Sequence, residues 1–455
     1  MSPGLHWGII GGGLLGMTLA WELAKRGHDV SVFEAGSETG GLASPWQLGD
    51  VIWDRHYHVT LASDSTLRAL LKELGLDHHM RWRQTRTGFY TRDRLYSFSG
   101  PADYLRFPLL NPMEKLRFGL AIRRAARLES PEAIEHLTVE EWLTRISGRG
   151  VFEKMWLPLL RAKLGDDYRS TSASFIWATI RRMFAARRSG LREEQFGYLP
   201  GGYSRMLATF SDALKEAGVE LAVNAPAREI AGLPDGGVEV RYRDRTRKQF
   251  DRVVVTAPAP LAATLCPQLE ANEIHALQNV EYLGIICMSL LLRRPLSDFY
   301  ITNIADEAIP LTGIIEMSAL VDRRQFGGRS LVYLPRYLRP DDRMFEQSDE
   351  HTEAQFLGAL QRVHPSLDRN DVLACRISRV RHVFPRPLAG SVHGAPPIDT
   401  SIPGVHLLNS AHIRCGTLNV NETVQLAQEQ AGRLHELARS NREQGAARLH
   451  ALARP

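Results

Sequence analysis

Apolar and polar positions along this 455-residue chain change period several times, and each change marks an element. An apolar run at 7–10 leads into Gly11, Gly12 and Gly13. A helical pattern follows at Leu14, Leu15, Met17, Leu19, Ala20, Leu23 and Ala24, and breaks at Gly27. A second apolar run at 30–33 ends on Glu34, so the opening predicts a strand, a helix and a strand in βαβ order. Residues 65–74 predict another helix, closed by Gly75. Residues 81–98 alternate as short strands do, with Trp82, Phe89, Tyr90, Tyr96 and Phe98 among the apolar positions. From 102 to 195 the period is helical, with Leu110, Met113, Leu116 and Leu120 near one face and Phe175, Ile176, Ile180, Met183 and Phe184 repeating the theme. These two helices are expected to pack on the protein core with solvated arginines, or else to offer a face to a membrane surface. Strands return in VELAVNAPAREI, VEVRYRDR and FDRVVVTAPAP, and again over 280–340. A helix over 351–363 precedes a final strand, loop and long helix.

The glycines of the first turn have G-x-G-x-x-G spacing at Gly11, Gly13 and Gly16. Gly11 permits the tight turn, Gly13 lets a pyrophosphate approach the backbone, and Gly16 lets the helix pack on the strand. Free N–H groups at the helix start then face the phosphates. Glu34, at the end of the second strand, is placed to accept hydrogen bonds from ribose hydroxyls. Together these features predict a dinucleotide site.

Composition narrows the partners. The net charge is +5, and residues 101–195 hold 17 Lys or Arg against 12 Asp or Glu, so this stretch carries the whole surplus. No nucleic-acid recognition motif accompanies it, which leaves an anionic membrane surface or an anionic substrate. The four cysteines are widely spaced, and no His, Cys or carboxylate spacing suggests a metal. The longest apolar run, 283–292, is too short to span a bilayer. With the first strand near Met1 and no signal peptide before it, the expectation is a cytoplasmic protein, soluble or peripheral on the membrane.

The run EAGSETGGLAS adds Gly40 and Gly41 six residues after the acid. Glycine turn, acid and glycine pair together resemble the opening of flavoproteins of the amine oxidase, protoporphyrinogen oxidase and phytoene desaturase superfamily. Within it, DRHYHVTLASD (54–64) and MWLPLLRAKLGDDY (155–168) are similar to bacterial protoporphyrinogen-oxidase-like members. The resemblance implies FAD as cofactor, bound by Gly11, Gly12, Gly13, Leu15, Gly16, Glu34, Gly40 and Gly41. It puts Leu42 where relatives carry Arg or Lys, Ala227 on a strand that brackets the adenine, and Thr256, Ala257 and Pro258 near the adenine and pyrophosphate. It also puts Asn421, Thr423 and Val424 at a helix start facing the flavin pyrimidine. Asn409 and Ser410 replace the usual Gly-Asp before that loop. The implied fold is α/β: a Rossmann-like FAD-binding domain (1–75, 197–275 and 376–440), an antiparallel-sheet substrate domain (76–100 and 276–375), a basic helical insertion (101–196) and a C-terminal tail (441–455).

For chemistry the candidates are Arg55, His56, Tyr57 and His58, just after the glycine pair. Either His56 or His58 is a candidate proton acceptor in C–H oxidation, the other reading being hydrogen bonds to backbone at a strand end. Lys163, beside Asp166 and Asp167 in sequence, is expected to be a structural ion-pair lysine, the other reading being a flavin or substrate contact. Cys415 is read as a small residue in a tight loop, with His412 and Arg414 as pocket candidates. The expected activity is FAD-dependent oxidation or desaturation of a hydrophobic substrate such as an isoprenoid, a tetrapyrrole or a lipid-linked intermediate. Two alternatives stay open: a non-redox flavoenzyme resembling UDP-galactopyranose mutase, and a non-catalytic FAD-bound scaffold.

Overall fold

In the computed structural model, strand His6–Ile10 is the middle of a five-stranded parallel sheet. Its neighbours run in the order Glu220–Ala222, Asp29–Phe33, His6–Ile10, Arg252–Val255 and Val405–Leu407. Trp7, Ile9, Val253, Val254 and Val255 are fully buried, because helices and a second sheet cover the two faces. Helices Leu14–Lys25, Gly202–Glu216 and Val420–Leu452 share one core with this sheet. The structure describes residues 4–187, 195–234, 236–390, 395–413 and 417–452, with side chains to 184 in the helix ending at Arg187 and to 440 in the last helix.

The segment VELAVNAPAREI is not one strand. Glu220–Ala222 joins the parallel sheet, whereas Ala227–Gly232 opens a separate antiparallel sheet with Val238–Tyr242 and Arg247–Phe250. Asn224, at φ 52°, and Pro226, which lacks an N–H, separate the two.

A seven-stranded sheet forms the second body, in the order Val372–Pro385, Tyr282–Leu292, Ser330–Leu338, Gly313–Glu316, Phe299–Ile304, Arg86–Thr91 and Arg94–Ser97. All its pairings are antiparallel except that of Phe299–Ile304 with Arg86–Thr91. The expected return to the cofactor domain at 376 falls inside strand Val372–Pro385. That strand pairs with Tyr282–Leu292 along its length, so the sheet retains the chain as far as Pro385.

Helices cover one end of this sheet. Their core, which includes Phe107, Trp142, Phe152 and Trp177, packs against Phe89, Leu283, Tyr337 and Phe384 of the strands. Helix Pro112–Arg127 starts with a capping box between Asn111 and Glu114. Its inward stripe is Ala121 and Ala125 with Phe118 and Ile122, not the leucines that the hydrophobic pattern favours. Phe118 fixes that rotation through ring contacts with Tyr104 and Trp156. Met113, Leu116 and Leu120 are consequently 57 %, 58 % and 48 % exposed.

Candidate active site

The glycine turn has the backbone its spacing demands. Gly11 sits at φ 115°, and its N–H donates to the Phe33 carbonyl at 2.8 Å. A Cβ on Gly13 would meet nothing nearer than the Gly41 Cα at 3.9 Å, so the backbone there is open to a phosphate. The glycine pair passes the same place: the Gly40 N–H donates to the Gly12 carbonyl at 2.8 Å, and Gly13 and Gly40 form an isolated parallel bridge. Gly40 and Gly41 have φ of 113° and 58°, so Gly suits both positions. Leu15, Gly16 and Val424 lie in the core beneath this turn.

Glu34 closes the far side. Its carboxylate accepts from the N–H groups of Gly12 and Gly36, each at 2.7 Å, and its remaining lone pairs can receive hydroxyl donors. The segment before Ala227 lies alongside, with the Glu34 N–H donating to Ala222 and the Ala225 N–H to Glu34. Thr256 presses on the turn from the next strand, its hydroxyl donating to the Ile10 and Gly11 carbonyls at 3.0 and 3.2 Å. Ala257 and Pro258 follow, and the Asn409 side chain donates to the Ala257 carbonyl at 3.1 Å, next to Ser410. An extended groove of backbone therefore runs past Gly13 with a carboxylate at one end, which fits a dinucleotide.

The last helix begins at the other end. Asn419 caps it by accepting from the Glu422 N–H at 3.1 Å. The first N–H groups of a helix have no intrahelical partner and carry partial positive charge. The Asn421 side chain is committed elsewhere: its Oδ1 accepts from the N–H groups of Thr66 and Leu67 at 3.1 and 3.0 Å, tying down helix Ser65–Glu73. The Thr423 hydroxyl donates to the Asn419 carbonyl. Any contact from Asn421 to a flavin would come from its backbone, whereas the Thr423 N–H already donates to the Asn419 carbonyl at 3.1 Å.

The run from Arg55 to His58 diverges. Arg55 stacks over Trp46 and faces Glu38 at 3.9 Å, in an outer cleft of about 610 Å³ that Arg376 also lines. His56 points inward and donates from Nδ1 to the Leu42 carbonyl at 3.2 Å, leaving Nε2 buried without a partner. Burial pushes its pKa down to about 4. His58 and Asp54 border a void of about 20 Å³, the size of one water. Burial pushes His58 down to about 3 and Asp54 up to about 8, so both are uncharged near neutrality although only 3.8 Å apart. The Asp54 carboxyl accepts from the Tyr203 N–H at 2.8 Å.

Tyr57 leads to residues that sequence reasoning missed. Its hydroxyl lies 3.1 Å from that of Tyr337, at the end of strand Ser330–Leu338. Tyr57, Tyr337, Phe384, Leu42 and Leu418 all pack at one junction of sheet, helices and cofactor groove. Each is half-buried and keeps some accessible surface. These residues come from four distant segments and share no motif, so no sequence signal could have joined them.

Lys163 corrects an expectation. It makes no ion pair with Asp166 or Asp167, which face Arg169 and Arg339 instead. Its Nζ stands 5.0 Å from the Tyr337 ring centre, 5.4 Å from Phe175 and 6.0 Å from Phe384. Helical geometry turns it away from the two aspartates into the helix–sheet junction. His412 is bound into the Asn409 turn, with Nε2 2.9 Å from the Pro396 carbonyl. Arg414 and Cys415 lie outside the described residues.

Residues 16–434 match the profile of the family described as flavin containing amine oxidoreductase. Among curated proteins the chain is 22 % identical over 383 residues to a 15-cis-phytoene desaturase of Synechococcus elongatus, covering 78 % of this chain and 79 % of the relative. It is 23 % identical to a hydroxysqualene dehydroxylase of Zymomonas mobilis, over 60 % of this chain and 67 % of that one. Among solved structures, a protein assigned as a protoporphyrinogen oxidase from Exiguobacterium sp. 255-15 superimposes with a TM-score of 0.74 at 17 % identity, covering 95 % and 99 % of the two chains. That likeness concerns the fold, and it agrees with the expected α/β architecture. Neither the mutase-like alternative nor the scaffold alternative is favoured by these matches. A profile match over nearly the whole length, with a groove shaped for a dinucleotide, identifies the chain as an FAD-dependent oxidoreductase belonging to the flavin containing amine oxidoreductase family.

Proposed function

We propose that this flavoenzyme takes hydride from a hydrophobic substrate, an isoprenoid, a tetrapyrrole or a lipid-linked molecule, collected at an anionic membrane surface. The observation that carries the reading is the apolar junction of sheet and helices formed by Leu42, Tyr57, Tyr337, Phe384 and Leu418, each of which keeps some accessible surface. Such a junction desolvates an apolar molecule and keeps water from the reacting carbon. Curated relatives named as a phytoene desaturase and a hydroxysqualene dehydroxylase support the same substrate class.

Bound FAD supplies the hydride acceptor. The chain's part is to hold and orient it. Gly11, Gly12, Gly13, Gly40 and Gly41 would line the pyrophosphate, Glu34 would receive the ribose hydroxyls, and Ala227 with Thr256 to Pro258 would border the adenine. The start of the last helix would turn its first N–H groups, that of Asn421 among them, toward the pyrimidine ring, with Thr423 and Val424 packed behind them. His56, with Nε2 free of partners and its ring uncharged, takes the proton when the substrate releases one.

Membrane collection rests on the exposed face of helix Pro112–Arg127. Met113, Leu116 and Leu120 share it with Arg117, Arg123, Arg124 and Arg127, and no carboxylate pairs with these arginines among the described residues. An apolar patch bordered by cations suits an anionic lipid surface. No helix among the described residues is long and apolar enough to cross a membrane, so the contact is peripheral.

The test is anaerobic reduction of the FAD-loaded protein by detergent-dispersed isoprenoid polyenes and a porphyrinogen, with putrescine as the water-soluble amine. Loss of the oxidised-flavin absorbance with one of the hydrophobic compounds is expected. Reduction by the amine alone would overturn the reading.

A further inference from the structure

Lys163 stands at this apolar junction, and nothing among the described residues answers its charge. Among the described residues it has no hydrogen-bond or ion-pair partner. Its surroundings are three aromatic rings, one each from helix Ala173–Arg187 and strands Ser330–Leu338 and Val372–Pro385. The ring faces attract a cation but donate no counter-charge. Like Tyr57 and Tyr337, Lys163 is half-buried and keeps some accessible surface, with its ammonium among the three rings. Burying a charge without a partner is costly, and an anion bound beside the ammonium would relieve that cost. Burial accordingly pulls the amine down to about 8.

We infer that Lys163 binds the carboxylate of the substrate, so that the hydrophobic molecule this enzyme oxidises is a carboxylic acid. This rests on the hydrophobic-substrate reading above and names the substrate class within it. A single ammonium is a point charge matched to a monoanion, whereas phosphate and diphosphate groups are generally held by several donors or a guanidinium fork. The neighbouring Arg161 is already paired with Glu307, and Arg339 with Asp167 and Asp341. The Tyr337 ring under Lys163 carries the hydroxyl that meets Tyr57, and Tyr57 shares its packing with Leu42, beside Gly41. The acid end therefore sits at Lys163, and the hydrocarbon runs past the tyrosine pair toward the cofactor groove. Oxidation takes place on the chain remote from the carboxylate.

The experiment uses full-length protein loaded with FAD, titrated by calorimetry with oleic acid and with methyl oleate below their aggregation concentrations. Wild type is expected to bind the acid about tenfold or more tightly than the ester, the size of one charge-assisted contact. Lys163→Met should erase that preference while ester binding and flavin content stay unchanged, and Lys163→Arg should keep it. Equal binding of acid and ester to wild type, or a preference that survives in Lys163→Met, overturns the inference and leaves the hydrophobic reading intact. Binding of neither probe to flavin-loaded protein overturns both.

Discussion

A Cβ on Gly16 would lie 2.0 Å from the carbonyl oxygen of Gly11. Helix and strand touch there through bare backbone, and no side chain can be inserted without separating them. Gly16→Ala is therefore expected to destabilise the fold by about 1–3 kcal/mol, the usual penalty for overpacking. Gly13→Ala differs, because its new methyl meets no protein atom closer than 3.9 Å. That variant should unfold at the wild-type temperature without cofactor yet retain far less FAD. Thermal unfolding and flavin content after gel filtration separate the two cases.

Asn421 is expected to matter for stability before it matters for chemistry. Truncation to Ala leaves the Thr66 and Leu67 N–H groups without their acceptor. The cost is about 1–3 kcal/mol, read by urea unfolding of the cofactor-free protein. A variant as stable as wild type would return the Asn421 side chain to the flavin site.

Stability should depend on pH in opposite senses through Asp54 and the two histidines. Asp54 holds its proton to about pH 8 in the folded protein, against 3.8 as its ordinary value. Its stabilising contribution is full below pH 3.8 and is lost as pH rises through about 8. His56 and His58 are held uncharged, so their contribution is present above pH 6.5 and is lost as pH falls toward about 4 and 3. Asp54→Asn keeps an acceptor for the Tyr203 N–H and should gain on wild type steadily from pH 4 to pH 8. Melting temperatures across that range, parallel for both proteins, would contradict the assignment.

The exposed face of helix Pro112–Arg127 gives a binding prediction. Each arginine near an anionic bilayer contributes about 1 kcal/mol. The double substitution Arg123→Gln and Arg124→Gln is expected to weaken co-sedimentation with phosphatidylglycerol vesicles by about thirtyfold, with no change in melting temperature. Undiminished binding would remove this helix from any membrane contact.

Elements whose identity depends on near neighbours were legible from sequence. The first strand, the helix behind the glycines and the strand ending at Glu34 stand within a residue or so of their hydrophobic periods. The rotation of helix Pro112–Arg127 was not, because Phe118 chooses its inward face through Tyr104 and Trp156, and those contacts are tertiary. Lys163 misled for the same reason: adjacency to two aspartates in sequence says nothing of which way a helix points. The split at Asn224 and Pro226 was visible in residue types but hidden by the apolar run around it. Tyr57 and Tyr337 meet across 280 positions, beyond any local pattern.

The order of strands in the parallel sheet sets a schedule for biosynthesis. Its central strand emerges first, but one edge waits for Glu220–Ala222, while the other side waits for Arg252–Val255 and then Val405–Leu407. Contacts so distant along the chain close slowly and leave unpaired strand edges meanwhile. The nascent N-terminal half therefore cannot complete its nucleotide groove until the later strands have been made, and its open strand edges stay exposed to wrong partners meanwhile.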